Sequence, residues 1–256
     1  MMLVGRSSRF LGFTPEGERV LGWARQIIGD VQAMRADLRA LKGGLEGLLR
    51  IAVIPTALAA LTDLTIPYHQ RHPNVRLSIL SCTSNEVVRR LDNFEVDVGI
   101  TYLGNEPTGR SRALPLYKEY YHLLTTAQSP FGQRRTISWA ELGQVPLGLL
   151  TPDMQNRRII NRLLQNSEGG QPPILESNSI TVLISHVQAG LLSCILPETL
   201  LRPLGPQAGL AAIPIIAPEE VHTVGLVLSQ RDPVSPLVSA LISIIQKSAG
   251  PKDKPA

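Results

Sequence analysis

The chain has 256 residues, 43% of them hydrophobic, which is enough to bury one large core or two smaller ones. Its 25 Lys and Arg residues exceed its 21 Asp and Glu residues by only four, so charge alone does not indicate nucleic-acid binding. No stretch approaches the roughly 20 apolar residues of a membrane span, and the first residues lack the apolar core of a secretory signal. We therefore expect a cytoplasmic protein.

The two cysteines, Cys82 and Cys194, lie far apart in apolar, strand-like segments, and neither belongs to a CxxC pair. This spacing predicts buried, reduced thiols rather than a disulfide framework or a zinc site. His69 and His72 are three residues apart, but no other metal-ligand residues cluster near them. We expect no metal and no cofactor.

The N-terminal part contains a helix start followed by a heptad pattern. Thr14 can cap free backbone N–H groups, Pro15 suits the first helical position, and Glu16 faces the positive end of the helix dipole. Apolar residues then recur at alternating steps of four and three, at Val20, Ala24, Ile27, Val31, Met34, Leu38 and Leu41. Glycines at 43 and 44 end this pattern, which predicts a helix over residues 14–44.

The apolar stripe on this helix is narrow, and charged residues lie between its members. A helix that packs on its own domain usually shows a wider stripe. The pattern therefore favours dimerisation through a partner helix, with packing on the chain's own domain as the alternative.

From residue 48 onward, strand-like and helix-like segments alternate, which predicts an α/β fold of βαβ units with a mainly parallel sheet. Predicted strands cover residues 48–54, 75–81, 96–102, 120–126, 145–150, 173–176 and 193–196, and further apolar segments cover 210–215 and 221–229. Predicted helices cover residues 57–71, 84–93, 154–165, 180–189 and 236–247. Two α/β lobes joined by crossing strands, with a cleft between them, fit this order best.

Several segments, taken together in order and spacing, resemble the LysR-type transcription regulators of bacteria. They are residues 13–18 at the start of the family's linker helix, 49–53 at its first strand, His72-Pro73-Asn74-Val75, Asp97-Val98-Gly99-Ile100, and 187–197. Pro15 and Glu16 stand where the family often has an arbitrary residue and Ala, and Leu192 replaces a glycine. The resemblance covers nearly the whole chain.

This resemblance implies a two-lobed effector domain of the periplasmic-binding-protein type (type 2) over residues 48–247, preceded by the linker and dimerisation helix over 14–44. Lobe I would comprise residues 48–124 and 218–247, lobe II residues 125–217, and residues 248–256 a disordered tail. Residues 1–13 would be the remnant of the wing of a winged helix-turn-helix, most of which would be missing. Arg6 and Arg9 could then contact DNA phosphates without specifying a sequence.

In such a two-lobed fold, small ligands bind where strands end and helices begin, because helix N-termini present unpaired N–H groups that suit an anion. The predicted effector-binding residues are Thr56, Ser84, Thr101, Tyr102, Thr151, Gln155, Asn156 and Asn178. Thr83 and Glu86 form a capping-box pattern, and Asn178 could equally be a helix N-cap. Arg157 and Arg158 either supply a counter-charge or, as we expect, form the solvated face of their helix. Asp97 fits a residue that anchors a strand edge better than a catalytic carboxylate.

These features predict an allosteric transcription regulator, DNA-binding in its full-length form, whose homodimer or homotetramer responds to a small, anionic effector. The alternative is a solute-binding protein of a transport system, which would have a similar fold. An enzyme is not expected, since the sequence contains no G-x-S-x-G elbow, no P-loop and no clustered His, Cys and Asp set.

Overall fold

The structure is a computed structural model that describes residues 2–6, 10–104, 112–165, 171–202, 209–229 and 233–248. Its helices are α1 (Pro15–Gly43), α2 (Thr62–Arg71), α3 (Ser84–Asp92), α4 (Gln155–Leu164), α5 (Ile180–Gln188), α6 (Glu198–Leu201) and α7 (Pro236–Ser248). Its strands are β1 (Val4–Arg6), β2 (Phe10–Phe13), β3 (Gly47–Val53), β4 (Val75–Ser81), β5 (Val98–Tyr102), β6 (Arg112–Glu119), β7 (Tyr121–Thr126), β8 (Ile137–Ser138), β9 (Leu147–Leu150), β10 (Leu175–Ser177), β11 (Ser193–Pro197), β12 (Leu210–Ile216) and β13 (His222–Leu228). Single 3-10 turns cover Pro55–Ala57 and Ala140–Gln144.

Helix α1 begins and ends where the sequence predicts. The Thr14 side chain accepts a hydrogen bond from the Gly17 backbone N–H at 3.0 Å, and Pro15 occupies the first helical position. Gly44 follows the helix at φ 99°, a backbone conformation that favours glycine. The helix contacts α7, and Arg25 forms an ion pair with Glu95 at 3.8 Å.

The first lobe contains a five-stranded sheet in the order β4-β3-β5-β13-β6. Strands β3, β4 and β5 run parallel, whereas β13 is antiparallel to both β5 and β6. The carboxylate of Asp97 accepts a hydrogen bond from the Arg50 backbone N–H at 2.8 Å, which confirms its structural role at the edge of β5.

The second lobe contains a sheet in the order β10-β9-β11-β7-β12-β8, again of mixed direction. Successive residues of its strands point to opposite faces. Leu123 and Ile195 therefore join the core that continues from the first lobe, whereas Leu124 and Cys194 join a second cluster with α5.

The chain crosses between the two sheets twice, once between β6 and β7 and once between β12 and β13. The first crossing lies between Glu119 and Tyr121, so the boundary expected after residue 124 falls inside β7. Both sheets are mixed because β13 and β7 run against their parallel neighbours. All other strands of each sheet share one direction, so the prediction of a mainly parallel sheet is confirmed.

Most predicted elements are present within a few residues of their predicted bounds, and the two-lobed α/β fold is confirmed. The predicted helix 57–71 is shorter, because its first part forms the 3-10 turn Pro55–Ala57 and α2 begins only at Thr62. Strands β1, β2, β6 and β8 were not predicted. The predicted disordered tail lies outside the described residues, apart from Ser248 at the end of α7. No described helix is both long and apolar enough to cross a membrane.

Gly225 in β13 lies too close to β6 to tolerate a side chain. A Cβ there would stand 2.6 Å from the Leu114 carbonyl oxygen, which is backbone and cannot rotate away. We expect Gly225→Ala to lower the free energy of unfolding by about 1–3 kcal/mol. Gly22→Ala is the control, since nothing lies within 4 Å of the corresponding Cβ in α1. Urea denaturation measures both; equal stability of the two variants would contradict the packing of β13.

Candidate functional site

Side chains from both lobes meet at the hydroxyl of Tyr102, the last residue of β5. Thr56 lies in the 3-10 turn after β3, and its Oγ1 is 3.2 Å from the Tyr102 Oη. Asn156 lies in the first turn of α4 in the second lobe, and its Nδ2 is 3.4 Å from the same oxygen. All three residues are buried. The structure therefore brings together three of the predicted effector-binding residues.

The single hydroxyl proton of Tyr102 sets the direction of these hydrogen bonds. Tyr102 donates it to Oε1 of Glu119 at 2.5 Å. Its oxygen can then only accept from Thr56 and Asn156. This assigns the amide nitrogen of Asn156 to the Tyr102 side, and Asn156 Oδ1 is a buried acceptor without a hydrogen-bond partner among the described residues.

Glu119 is a fully buried carboxyl group at the first crossing between the lobes. It ends β6, and no described residue forms an ion pair with it. Its Oε2 is shielded from solvent and has no hydrogen-bond partner within the described ranges. Burial raises the pKa of Glu119 to about 8, and the Tyr102 and Tyr121 hydroxyls offset part of that rise. The group is therefore mostly protonated at neutral pH.

Two aromatic residues from the crossings surround this carboxyl group. Tyr121 begins β7 and His222 begins β13, and their ring centroids are 6.0 Å apart. His222 also lies 6.2 Å from the Tyr102 ring, and burial lowers its pKa. We call Tyr102, Glu119, Tyr121 and His222 the hinge cluster, because both crossings pass through it.

Other predicted site residues lie apart from this hydrogen-bond network. Ser84, Thr101 and Thr151 have solvent-shielded hydroxyl oxygens with no hydrogen-bond partner in the described part of the chain. Ser84 is the first residue of α3 and follows the N-cap Thr83. The predicted capping box of Thr83 and Glu86 is confirmed. Gln155 Oε1 accepts a hydrogen bond from Arg158 Nε at 2.7 Å.

Asn178 is exposed, and the N-cap of α5 is Ser179. The N-cap interpretation of Asn178 was therefore wrong, because α5 begins one residue later than that interpretation requires.

We expected Arg157 to lie on the solvated face of its helix, and this prediction was wrong. It is only 6% exposed. Its guanidinium donates to the Leu150 carbonyl and to Asn161 Oδ1, both at 2.7 Å, and pairs with Glu176 at 2.7 Å. Arg157 therefore anchors α4 to β9 and β10, and its charge is already balanced.

A cavity of about 630 Å³ lies beside the hinge cluster, between α2, β6, α7 and α6. Its lining combines apolar residues, among them Leu61, Leu116 and Ile245, with the charged residues Asp63, Lys118 and Arg202. Tyr117 and Thr199 line it with hydroxyl groups, and Tyr117 is two residues before Glu119 on β6. None of Thr56, Tyr102, Glu119 and Asn156 lines this cavity.

The sequence interpretation missed Glu119, Tyr121 and His222. Each stands at the end of an apolar strand, where a polar residue ordinarily marks the edge of a strand. The one available signal is the sequence Glu119-Tyr120-Tyr121 itself, which places an acid and two aromatic hydroxyls between two apolar segments.

The comparisons with known proteins agree with this architecture. A family model described as "LysR substrate binding domain" matches residues 42–250. The chain is 24% identical to the HTH-type transcriptional regulator YbhD of Escherichia coli K12 over 96% of this chain and 77% of YbhD. It is 26% identical to the DNA-binding transcriptional dual regulator OxyR of the same strain over 91% of this chain and 77% of OxyR.

Solved structures show the same fold. A full-length OxyR variant from Pseudomonas aeruginosa superposes with a TM-score of 0.78 at 22% identity, over 99% of this chain and 84% of that one. Full-length CbnR in complex with its target DNA gives a TM-score of 0.68 at 18% identity, over 97% of this chain and 84% of that one.

Glu119 makes stability depend on pH in a defined window. Its pKa is about 8 when folded and 4.5 in the reference state, so between these values the folded chain holds a proton that the unfolded chain has released. Stability therefore falls as pH rises through this window, by up to about 1.4 kcal/mol per pH unit. We expect Glu119→Gln to remove this contribution, so that the melting temperature of the variant falls less between pH 4.5 and 8.

Differential scanning fluorimetry across the window compares the two proteins, with the exposed Glu219→Gln as a matched control. The buried histidines contribute equally to both curves, so the difference isolates Glu119. Parallel curves for wild type and Glu119→Gln would show that Glu119 ionises normally.

Proposed function

The chain belongs to the LysR family of transcription regulators, and we propose that a small polar effector binding between its two lobes controls the geometry of a DNA-bound oligomer. The relatives are transcription regulators rather than enzymes. The alternative of a solute-binding protein for a transporter is not favoured.

The convergence of Thr56, Tyr102 and Asn156 is the observation that carries this proposal. The first two belong to one lobe and the third to the other, and they share one hydroxyl. A ligand that inserts between them replaces hydrogen bonds to the Tyr102 hydroxyl and contacts both lobes at once. It can therefore change the angle between the lobes, provided that it binds one arrangement better than the other.

The exposed apolar face of α1 supports self-association. Val20, Ile27, Val31, Met34 and Leu38 of the heptad pattern are exposed, as are Trp23 and Ile28. Ala24 is exposed as well, and the side chain of Leu41 lies outside the described residues. An apolar stripe of this length is a favourable surface for a second helix, so a homodimer or homotetramer through α1 is part of the proposal.

DNA binding in the cytoplasm completes the proposed function. DNA binding is inferred from membership of the LysR family. One structural neighbour, CbnR, has been solved in complex with its target DNA. The side chain of Arg6 and the whole of Arg9, which we predicted to contact phosphates, lie outside the described residues. A role for them remains a prediction.

Thiol-based peroxide sensing is not favoured, although several relatives are named hydrogen peroxide-inducible genes activators. Such sensing requires accessible thiolates. Cys82 and Cys194 are both buried, belong to different hydrophobic clusters, and have thiol pKa values raised by burial. The effector is better described as a non-covalent ligand.

A thermal-shift screen of small metabolites tests the site, because a ligand specific for the folded state raises the melting temperature by mass action. For a compound that stabilises the wild type, we expect Asn156→Ala and Thr56→Val each to weaken binding about 5- to 30-fold, the equivalent of one or two hydrogen bonds. Asn74→Ala, an exposed position on lobe I, is the control. Unchanged affinity in both site variants would place the effector elsewhere.

Sedimentation velocity tests the oligomer. We expect the wild type to form dimers or tetramers at micromolar concentration and the double variant Ile27→Glu and Met34→Glu to be monomeric, because both charges would be buried against a partner helix. Gln26→Glu adds a charge at a neighbouring exposed position outside the heptad pattern and should leave the oligomer intact. A wild type that is monomeric throughout this range would contradict the role of α1.

A further inference from the structure

We propose that the effector presents a cationic nitrogen, such as a protonated amine, to the hinge cluster, where it lies between Glu119 Oε2 and Asn156 Oδ1. This inference rests on the proposed function and specifies the class of ligand. It differs from the anionic effector that the helix N-termini suggested in the sequence.

Glu119 lacks a counter-charge among the described residues. A carboxyl group that is taken out of water needs a cation, several hydrogen-bond donors or a proton. Within the described residues Glu119 accepts a hydrogen bond from the Tyr102 hydroxyl and lies beside the Tyr121 hydroxyl, which also lowers its pKa, but it forms no ion pair there. Whether protonated or ionised, its Oε2 has no partner there. A ligand cation supplies what this position lacks.

The side chains that carry the unpartnered oxygens, Glu119 and Asn156, lie next to each other. Glu119 Oε1 and Asn156 Nδ2 are bound to the same Tyr102 hydroxyl, at 2.5 and 3.4 Å, so the two side chains are neighbours across the lobe junction. Each carries a second oxygen without a hydrogen-bond partner among the described residues, and the Glu119 oxygen becomes an acceptor when the carboxyl group releases its proton. An ammonium group has three donors and no acceptor, which matches two carbonyl-type oxygens from opposite lobes.

The side chains around Glu119 are neutral or negatively charged. Tyr102 on β5, Tyr117 on β6, Tyr121 on β7 and His222 on β13 surround Glu119 and are uncharged at neutral pH, since burial raises the tyrosine pKa values and lowers that of His222. Glu220 adds a further negative charge near Tyr121 and His222.

The buried cation of α4, Arg157, does not reverse this balance. Arg157 forms an ion pair with Glu176. Arg162, whose charge contributes to the lowered pKa of His222, is exposed on α4. A carboxylate placed beside Glu119 would therefore meet repulsion without compensation.

The proposal predicts a proton-linked binding event. Glu119 is mostly protonated at neutral pH, and a cation beside it favours the carboxylate. Binding of an amine therefore releases a proton from Glu119 to the buffer. A carboxylate ligand at the same position would release none.

The experiment uses the full chain and a series of primary alkylamines from methylamine to hexylamine, with matched carboxylates and alcohols, at neutral pH and constant ionic strength. Thermal shifts at about 20 mM ligand select the best-fitting chain length, since stabilisation grows with ligand concentration over Kd. Calorimetry in two buffers of different ionisation enthalpy then measures affinity and proton release. The variants are Glu119→Gln, which keeps the shape of the side chain, and the exposed Glu219→Gln.

We expect the amines to stabilise the wild type more than their carboxylate and alcohol counterparts, with proton release on binding. Glu119→Gln should weaken the amine about tenfold or more and abolish the proton release, whereas Glu219→Gln should change neither. Amines that give no shift, or that bind Glu119→Gln as well as the wild type, overturn the proposal. A carboxylate or alcohol that binds in their place, and is weakened by Thr56→Val, would keep the interlobe site while rejecting the cationic ligand.

Discussion

One residue, Tyr102, joins side chains of the two lobes through its hydroxyl group. It ends β5 in the first lobe, donates its only proton to Glu119, and accepts from Thr56 in the same lobe and Asn156 in the other. A hydrogen bond buried at such a junction contributes about 1 kcal/mol when it is made, and costs more when one partner is left without the other. Any movement of α4 away from β5 breaks the bond to Asn156, so the angle between the lobes and the hydrogen bonding of Tyr102 change together.

The hinge cluster also explains why ligand binding can influence that angle. Glu119 and Asn156 each have an oxygen with no partner in the described structure, and Ser84, Thr101 and Thr151 have similar hydroxyl groups. Buried polar atoms without partners are costly. The ligand-free arrangement is therefore less stable than one in which a ligand supplies the missing hydrogen bonds. Two states that differ by a few hydrogen bonds are sufficient for a population shift.

Local sequence patterns predicted the helices and most of the strands, because caps, heptads and alternation are properties of neighbouring residues. Thr14, Gly44 and the capping box of Thr83 and Glu86 act as the patterns indicated. The candidate site was predicted in part, since Thr56, Tyr102 and Asn156 lie where strands end and helices begin. Glu119 and His222 could not be predicted, because their burial results from two chain crossings that are distant in sequence. Arg157 was misjudged for the same reason, as its partner Glu176 belongs to β10.

Distances between the lobes test the central role of Tyr102 most directly. Spin labels attached at exposed positions on the two lobes, after Arg76→Cys and Asn178→Cys, report the interlobe distance by pulsed electron paramagnetic resonance, because both native cysteines are buried. We predict one narrow distance distribution for the otherwise wild-type chain and a broader or shifted one when Tyr102→Phe removes the shared hydroxyl. The same narrow distribution in both proteins would show that the lobes are held together without it.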